Sequence, residues 1–148
     1  MSLKEQLTAD MKEAMKSHDK DRLAVIRMVR GAIRQQEIDG QKELSDEDVI
    51  AVMSKEIKMR RDSIEEFKKG GREDLIAKTQ AEIAVLMPYM PAQLSEDEVR
   101  ELVKAAVAET GAATPKDMGK VMGVLMPKVK GRADGKLVNT LVRSMLQG

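Results

Sequence analysis

The feature that most constrains this chain is a series of helix-start signals, each followed by apolar residues at helical spacing. Ser2, Ser45 and Ser95 each precede an acidic residue by three positions. In this capping-box pattern, the hydroxyl and the carboxylate satisfy free amides of the first helical turn. Helix stops are predicted at Gly40, Gly70-Gly71, Gly111 and Gly131. Because the apolar residues between these signals recur about every 3.6 residues, the sequence predicts an all-α fold.

Composition supports this fold class. The chain has one Tyr, one Phe and no Trp, whereas strands draw on aromatic and β-branched residues. A base-stacking RNA-binding sheet also needs aromatic rings, so neither a β-sandwich nor such a platform is expected. The 12 Met residues, together with many Ala, Leu, Lys and Glu, favour helices.

Two prolines divide the predicted helices into two groups. Pro88 and Pro91 interrupt any helix near residue 90. Four helices are predicted before them, the second with the broadest apolar stripe, and three after them, over about 96–110, 115–126 and 135–147. We therefore expect an N-terminal four-helix module over 1–90 and a basic, C-terminal three-helix module over 91–148.

Charge is unevenly distributed along the chain. The formal net charge is +1, with 34% charged residues. From residue 111 onwards there are seven Lys or Arg and two Asp, which gives +5 and leaves −4 for the preceding residues. The nearly neutral total therefore conceals a basic end, as is common in proteins that bind nucleic acid.

The most basic stretch is MGKVMGVLMPKVKGRADG, residues 118–135. Gly119 and Gly123 lie four apart, which favours a close approach between helices. Pro127 is expected to end the helix, so that residues 128–132 form a cationic connection. Asp134 is the predicted N-cap of the last helix. A cationic loop before a helix N-terminus suits a phosphate, and a merely solvated loop explains the pattern equally well.

A second cationic stripe lies on the predicted second helix. Lys20, Arg27, Arg30 and Arg34 are spaced seven, three and four apart, which places them on one helical face. Such a stripe can follow a phosphate backbone. The favoured interpretation is a solvated face whose cations pair with acids across a groove.

No catalytic constellation is expected. The single histidine, His18, falls in a predicted turn, and one imidazole cannot form a zinc site without cysteine. The acidic clusters at 46–48 and 96–98 fall in first helical turns, where the helix dipole explains them. Because the chain also lacks a phosphate-binding glycine motif, we expect no cofactor, metal or catalytic residue.

Cellular location follows from what the sequence lacks. It has no cysteine, no apolar signal segment and no run of about 18 apolar residues that could cross a membrane. We therefore expect a cytoplasmic protein with no membrane partner.

The C-terminal stretch also resembles a known domain. From Gly119 to Asn139 the string GKVMxxxxPKVKGRADGKLVN is similar to the tail domain of GatB, the B subunit of glutamine-dependent aspartyl/glutamyl-tRNA amidotransferase. The small stand-alone YqeY-like family is the closest resemblance and runs along the whole chain, including residues 25–29, 88–94 and 118–123. The resemblance implies a two-module helical fold and, since the GatB tail helps hold the tRNA body, a role with tRNA. The GatB catalytic domains have no counterpart here.

Three functional hypotheses follow. The first is a non-catalytic accessory module that binds tRNA or other structured RNA by phosphate and shape. Its expected contacts are Lys120, Lys128, Lys130, Arg132, Lys136, Asn139 and Arg143, with Gly131 and Gly135 allowing close approach, and with Arg27, Arg30 and Arg34 as a weaker second surface. The second is a helical protein–protein adaptor with a methionine-lined surface. The third, implied by the resemblance, is a component of a carbon–nitrogen ligase with glutamine as amido-N-donor, which would need a partner to supply the chemistry.

Overall fold

The computed structural model describes residues 1–147 and confirms the all-α prediction. The described residues form seven α-helices and two short 3-10 helices, with no strand among them. The α-helices are α1 (Leu3–Lys16), α2 (Lys20–Gly40), α3 (Asp46–Lys69), α4 (Glu73–Leu86), α5 (Glu96–Thr110), α6 (Met118–Val129) and α7 (Gly135–Gln147). The 3-10 helices span Met87–Tyr89 and Pro115–Asp117.

The predicted capping boxes are present at the start of α1, α3 and α5. At α5, the Glu98 amide donates to Ser95 Oγ at 3.1 Å, and the Ser95 amide donates to Glu98 Oε1 at 3.1 Å. The hydrogen bond that this carboxylate accepts from the Ser95 amide, followed by one from the Ser95 side chain, holds the pKa of Glu98 below its usual value. The carboxylate therefore stays charged at the positive end of the helix dipole.

The chain forms two compact units, of which the first spans Met1–Met90. Its core is built from α1 to α4 and includes the fully buried Leu7, Val29, Met53 and Leu86. A polar cluster lies at its margin, where the Tyr89 hydroxyl donates to Asp10. Burial, and then this hydrogen bond, raise the pKa of Tyr89 above its ordinary value.

The second unit begins at Pro91 and contains α5, α6 and α7. Its core is largely aliphatic, with Val103, Val121, Leu125 and Val142 fully buried. The buried residues of α7 recur at helical spacing, at 138, 141, 142 and 146. The opposite face of α7 is therefore left to solvent.

Pro127 does not end its helix, contrary to the prediction. Residues 115–117 form a 3-10 turn, and α6 continues from Met118 through Pro127 to Val129. Proline is tolerated there because it removes a single donor close to the helix end, while the Lys130 amide still donates to the Met126 carbonyl at 2.9 Å. Val129 is only 1% exposed, and its burial favours a final helical turn.

The expectation that Gly119 and Gly123 mark a close helix–helix approach is also wrong. Both glycines are exposed. A Cβ atom added at either position would meet no atom of another element within 4 Å. Spacing alone could not distinguish a packed glycine face from a solvent-facing one.

Candidate nucleic-acid interface

The cationic connection after α6 is a tight, well-tethered turn. Lys130 has φ −57° and ψ 124°, Gly131 has φ +74°, and the Arg132 amide donates to the Val129 carbonyl at 2.8 Å. These values define a type II β-turn, which requires positive φ at its third residue. Gly131 is therefore needed for backbone conformation, independently of any ligand.

The turn is held by the segment that opens the second unit. The Leu94 amide donates to the Arg132 carbonyl at 2.8 Å, and Gln93 Nε2 donates to the Gly131 carbonyl at 2.8 Å. Arg132 Nε donates in return to the Ala92 carbonyl at 3.1 Å. These hydrogen bonds make Arg132 a structural residue of the turn.

The surroundings of Arg132 are acidic. Its side chain shares a shallow groove with Asp97, Glu98 and Glu101 of α5. These carboxylates repel a phosphate. Of the predicted contact residues, Arg132 is therefore the least suited to RNA.

Two further predicted contacts take part in weak ion pairs. Lys128 Nζ lies 3.8 Å from Glu109 Oε2, and Lys120 Nζ lies 3.9 Å from Asp117 Oδ1. The side chain of Lys120 is 72% exposed and that of Lys128 is 48% exposed. Exposed pairs of this kind contribute little free energy, so both lysines can exchange an acid for a phosphate.

The last three predicted contacts lie on one exposed face of α7. Lys136, Asn139 and Arg143 are spaced three and four apart and are all exposed. Arg143 and Lys130 form no ion pair among the described residues. The α7 face and Lys130 thus offer exposed donors of the kind that bind phosphate oxygens.

The N-terminus of α7 is partly occupied by its own cap. Asp134 Oδ1 accepts from the Lys136 amide at 3.1 Å, which confirms the predicted N-cap. Its negative charge competes with any anion at these amides. Gly135 begins α7, and a Cβ atom added there would meet nothing within 4 Å. A phosphate therefore has space to approach the backbone at Gly135, but fewer free amides are available to bind it.

The second predicted surface, on α2, forms a groove, whereas the sequence predicted only a cationic helical face. Arg27, Arg30 and Arg34 line a groove between α1 and α2 with a volume of about 400 Å³. None of the three forms an ion pair among the described residues. The expectation that this face pairs with acids across the groove is therefore wrong for these arginines. Lys20, which began the predicted stripe, does not line the groove.

The lining of this groove includes an ion pair. Lys4 Nζ lies 2.7 Å from Glu37 Oε2, and the Leu44 amide donates to the same carboxylate at 2.8 Å. The hydrogen bond from Lys4, followed by that from Leu44, lowers the pKa of Glu37. Glu37 is therefore a fixed negative charge in the lining of the groove.

The other groove residues were not predicted from the sequence. Gly31 lies between the arginines on α2, and Lys4, Leu7 and Thr8 contribute from α1. The available signal was Gly31 itself, an unusual residue inside a helix and in the middle of a cationic stripe.

The single histidine lies in the N-terminal unit. His18 has φ +57° and lies exposed in the turn between α1 and α2, which confirms its predicted position. No group of three or more metal-ligating side chains is found within residues 1–147. No helix in this range is long and apolar enough to cross a membrane.

The structure thus defines a class of protein: two small helical units that carry cationic surfaces. The chain belongs to the family described as Yqey-like protein, whose model matches residues 4–146. This result agrees with the resemblance noted in the sequence.

Several curated fungal proteins are similar to the chain, and each is called "Altered inheritance of mitochondria protein 41, mitochondrial". The protein of Pyrenophora tritici-repentis is 35% identical over 144 residues, covering 95% of this chain and 78% of the relative. That of Kluyveromyces lactis is 35% identical, covering 88% and 68%. That of Lachancea thermotolerans is 36% identical, covering 74% and 60%.

These names contradict the expected cytoplasmic location, since the relatives are named as mitochondrial proteins. The criteria behind that expectation were the absence of cysteine and of an apolar signal segment. Mitochondrial leaders are amphipathic and arginine-rich rather than apolar. These criteria therefore could not distinguish a mitochondrial protein from a cytoplasmic one.

Proposed function

We propose that this protein is a non-catalytic accessory module that binds structured RNA, with tRNA as its natural class of ligand. The C-terminal unit makes the contacts, through Lys130 and the exposed α7 face of Lys136, Asn139 and Arg143. The observation that carries the proposal is this face, which combines two cations and an amide at helical spacing on the side opposite the core.

The composition of the surface favours recognition of phosphate and shape over base sequence. The chain has one Tyr and one Phe, and Tyr89 is buried. Stacking of aromatic side chains on unpaired bases therefore contributes little to RNA affinity. Lys and Arg side chains bind phosphates irrespective of the RNA sequence. The resemblance of residues 119–139 to the tail of a tRNA-dependent amidotransferase points in the same direction.

The contact set is narrower than the sequence analysis expected. Lys130, Lys136, Asn139 and Arg143 form the primary set. The exposed Lys120 and Lys128 contribute after exchanging their weak acidic partners. We omit Arg132 and Gly131, because the structure uses them to build the turn.

The adaptor hypothesis lacks a specific supporting surface. Eight of the 12 methionines lie in or against the two cores: 11, 28, 53, 87, 90, 118, 122 and 145. The exposed ones are Met1, Met15 on α1, Met59 on α3 and Met126 on α6. A methionine-lined groove needs several of them on one face.

The proposal is tested by titrating fluorescently labelled tRNA with the full chain and measuring anisotropy over a salt series. With ~4 phosphates neutralised, log affinity should fall against log salt with a slope of about −3 to −4. The double variant Lys130→Glu/Arg143→Glu should weaken binding and reduce the magnitude of the slope by about 2, roughly 1 per lost contact.

The matched control is Arg100→Glu/Lys104→Glu on α5. It makes the same change in net charge at residues that already pair with acids on their own helix. The control should bind nearly as the parent does. If both variants lost tRNA affinity equally, the loss would be an effect of overall charge. The α7 face would then not be the binding site. Absence of binding at low salt would refute the RNA function itself.

A further inference from the structure

We propose that the groove between α1 and α2 binds a small ligand carrying linked phosphate groups, such as a diphosphate. We call it the arginine groove and define it by Arg27, Arg30, Arg34, Gly31, Lys4 and Glu37. It lies within the N-terminal unit and does not depend on the RNA-binding proposal for the C-terminal unit.

The positive charge of the arginine groove is uncompensated. Arg27, Arg30 and Arg34 project from one face of α2 and have no carboxylate partner within residues 1–147. Arg30 is only partly exposed, and its Nη1 lies 2.9 Å from the thioether sulfur of Met11. A thioether is a weak acceptor and supplies no charge. A phosphate would supply the charge and the bidentate geometry that guanidinium groups favour.

The shape of the groove also suits a small ligand. Its volume of about 400 Å³ is in the range of small-molecule sites, roughly 300–1,000 Å³. Leu7 and Ile33 line it and are buried, which gives the groove an apolar floor. Gly31 lies between the arginines, and a Cβ atom added there would meet no atom of another element within 4 Å. The surface of α2 is therefore open to a ligand beside the three arginines that line the groove.

The length of the cationic row limits the length of the ligand. Arg34 follows Arg27 by seven positions, and at about 1.5 Å per residue the row extends ~10 Å along the helix. The charged Glu37, held by Lys4 and the Leu44 amide, follows Arg34 by three residues and also lines the groove. A continuous nucleic-acid strand that followed the row beyond Arg34 would meet this fixed carboxylate. A ligand with two or three linked phosphates fits within the cationic row and avoids it.

Two substitutions at one glycine provide the sharpest test. Gly31→Glu introduces a carboxylate four residues after Arg27 and three before Arg34, where it can pair with both. Gly31→Ala adds only a methyl group to the same open space. Both replace glycine inside α2 with a better helix former, so neither is expected to unfold the unit. Circular dichroism verifies this.

Binding is measured by isothermal titration calorimetry of the full chain with pyrophosphate, and with inorganic phosphate for comparison. The parent and Gly31→Ala should bind pyrophosphate more tightly than phosphate. Gly31→Glu and Arg30→Gln should each weaken binding about tenfold or more, as expected for the loss of a charge-assisted contact. The control Arg61→Gln removes the same charged group from α3, outside the groove, and should leave affinity unchanged.

Three results would overturn the proposal. They are absence of pyrophosphate binding by the folded parent, equal weakening by Arg61→Gln, and undiminished binding by Gly31→Glu. A tRNA titration of Gly31→Glu tests whether RNA, instead of a small ligand, occupies the groove. If tRNA affinity falls while pyrophosphate does not compete for the groove, the groove is an RNA contact and the small-ligand proposal fails. Loss of RNA binding through α7 alone would leave this proposal intact.

Discussion

Replacing Gly123 with alanine should stabilise the C-terminal unit. Gly123 lies inside α6, is exposed, and has open space where a Cβ atom would be placed. Alanine therefore adds no clash, while the conformational entropy lost by the backbone on folding becomes smaller. The expected gain is about 0.5–1 kcal/mol in the free energy of unfolding.

This gain can be measured by thermal unfolding. In a small domain, 1 kcal/mol shifts the midpoint by roughly 4–8 °C, so Gly123→Ala should raise the midpoint of the C-terminal unit by about 2–8 °C. Circular dichroism at 222 nm, a helix signal, would follow the transition, and urea titration would provide the free energy.

Gly131→Ala is the matched control, since it makes the same chemical change at a position with φ +74°. Alanine in the left-handed region costs about 1–2 kcal/mol, so this variant should be less stable than the parent. If Gly123→Ala instead lowered stability, Gly123 would have to pack closely against another element. The conclusion that the glycines of α6 face solvent would then be wrong.

Two further predictions concern pH. Because the pKa of Glu98 is lowered in the folded state, its carboxylate contributes stability above its ordinary pKa of 4.5, and this contribution is lost as the pH falls through the folded value. Glu98→Gln should lower the unfolding midpoint near neutral pH, with the difference disappearing on acidification; a pH-independent difference would contradict this. The pKa of Tyr89 is raised, so the parent should lose stability above about pH 10. Tyr89→Phe should remove that loss, while costing about 1.5–3 kcal/mol at neutral pH through the lost bond to Asp10; urea titrations in alkaline buffers would show both effects.

Local signals in the sequence predicted the helices well. The boxes at Ser2, Ser45 and Ser95 mark the starts of α1, α3 and α5 within one residue, because each depends on atoms only three residues apart. The stop predicted at Gly40 is displaced by one position, and Gln41 adopts the left-handed cap conformation instead. Pro127 was misjudged because the burial of Val129, a tertiary effect, outweighs a single missing donor.

The candidate surfaces were less predictable, because they depend on contacts between distant residues. The pairing of Lys128 with Glu109 joins α6 to α5, and the tethering of Arg132 to Ala92 spans 40 residues. Neither follows from helical spacing. For the same reason, sequence could place Arg27, Arg30 and Arg34 on one face, but could not show that no described acid pairs with them.

The division of the apolar residues into two closed cores has an evolutionary consequence. Every residue of the first core precedes Pro91, and every residue of the second follows it. A gene fusion or recombination event at this junction would transfer a complete core together with the basic α7 face. The C-terminal unit is therefore separable, because its core and its exposed basic face are encoded by one continuous segment of the gene.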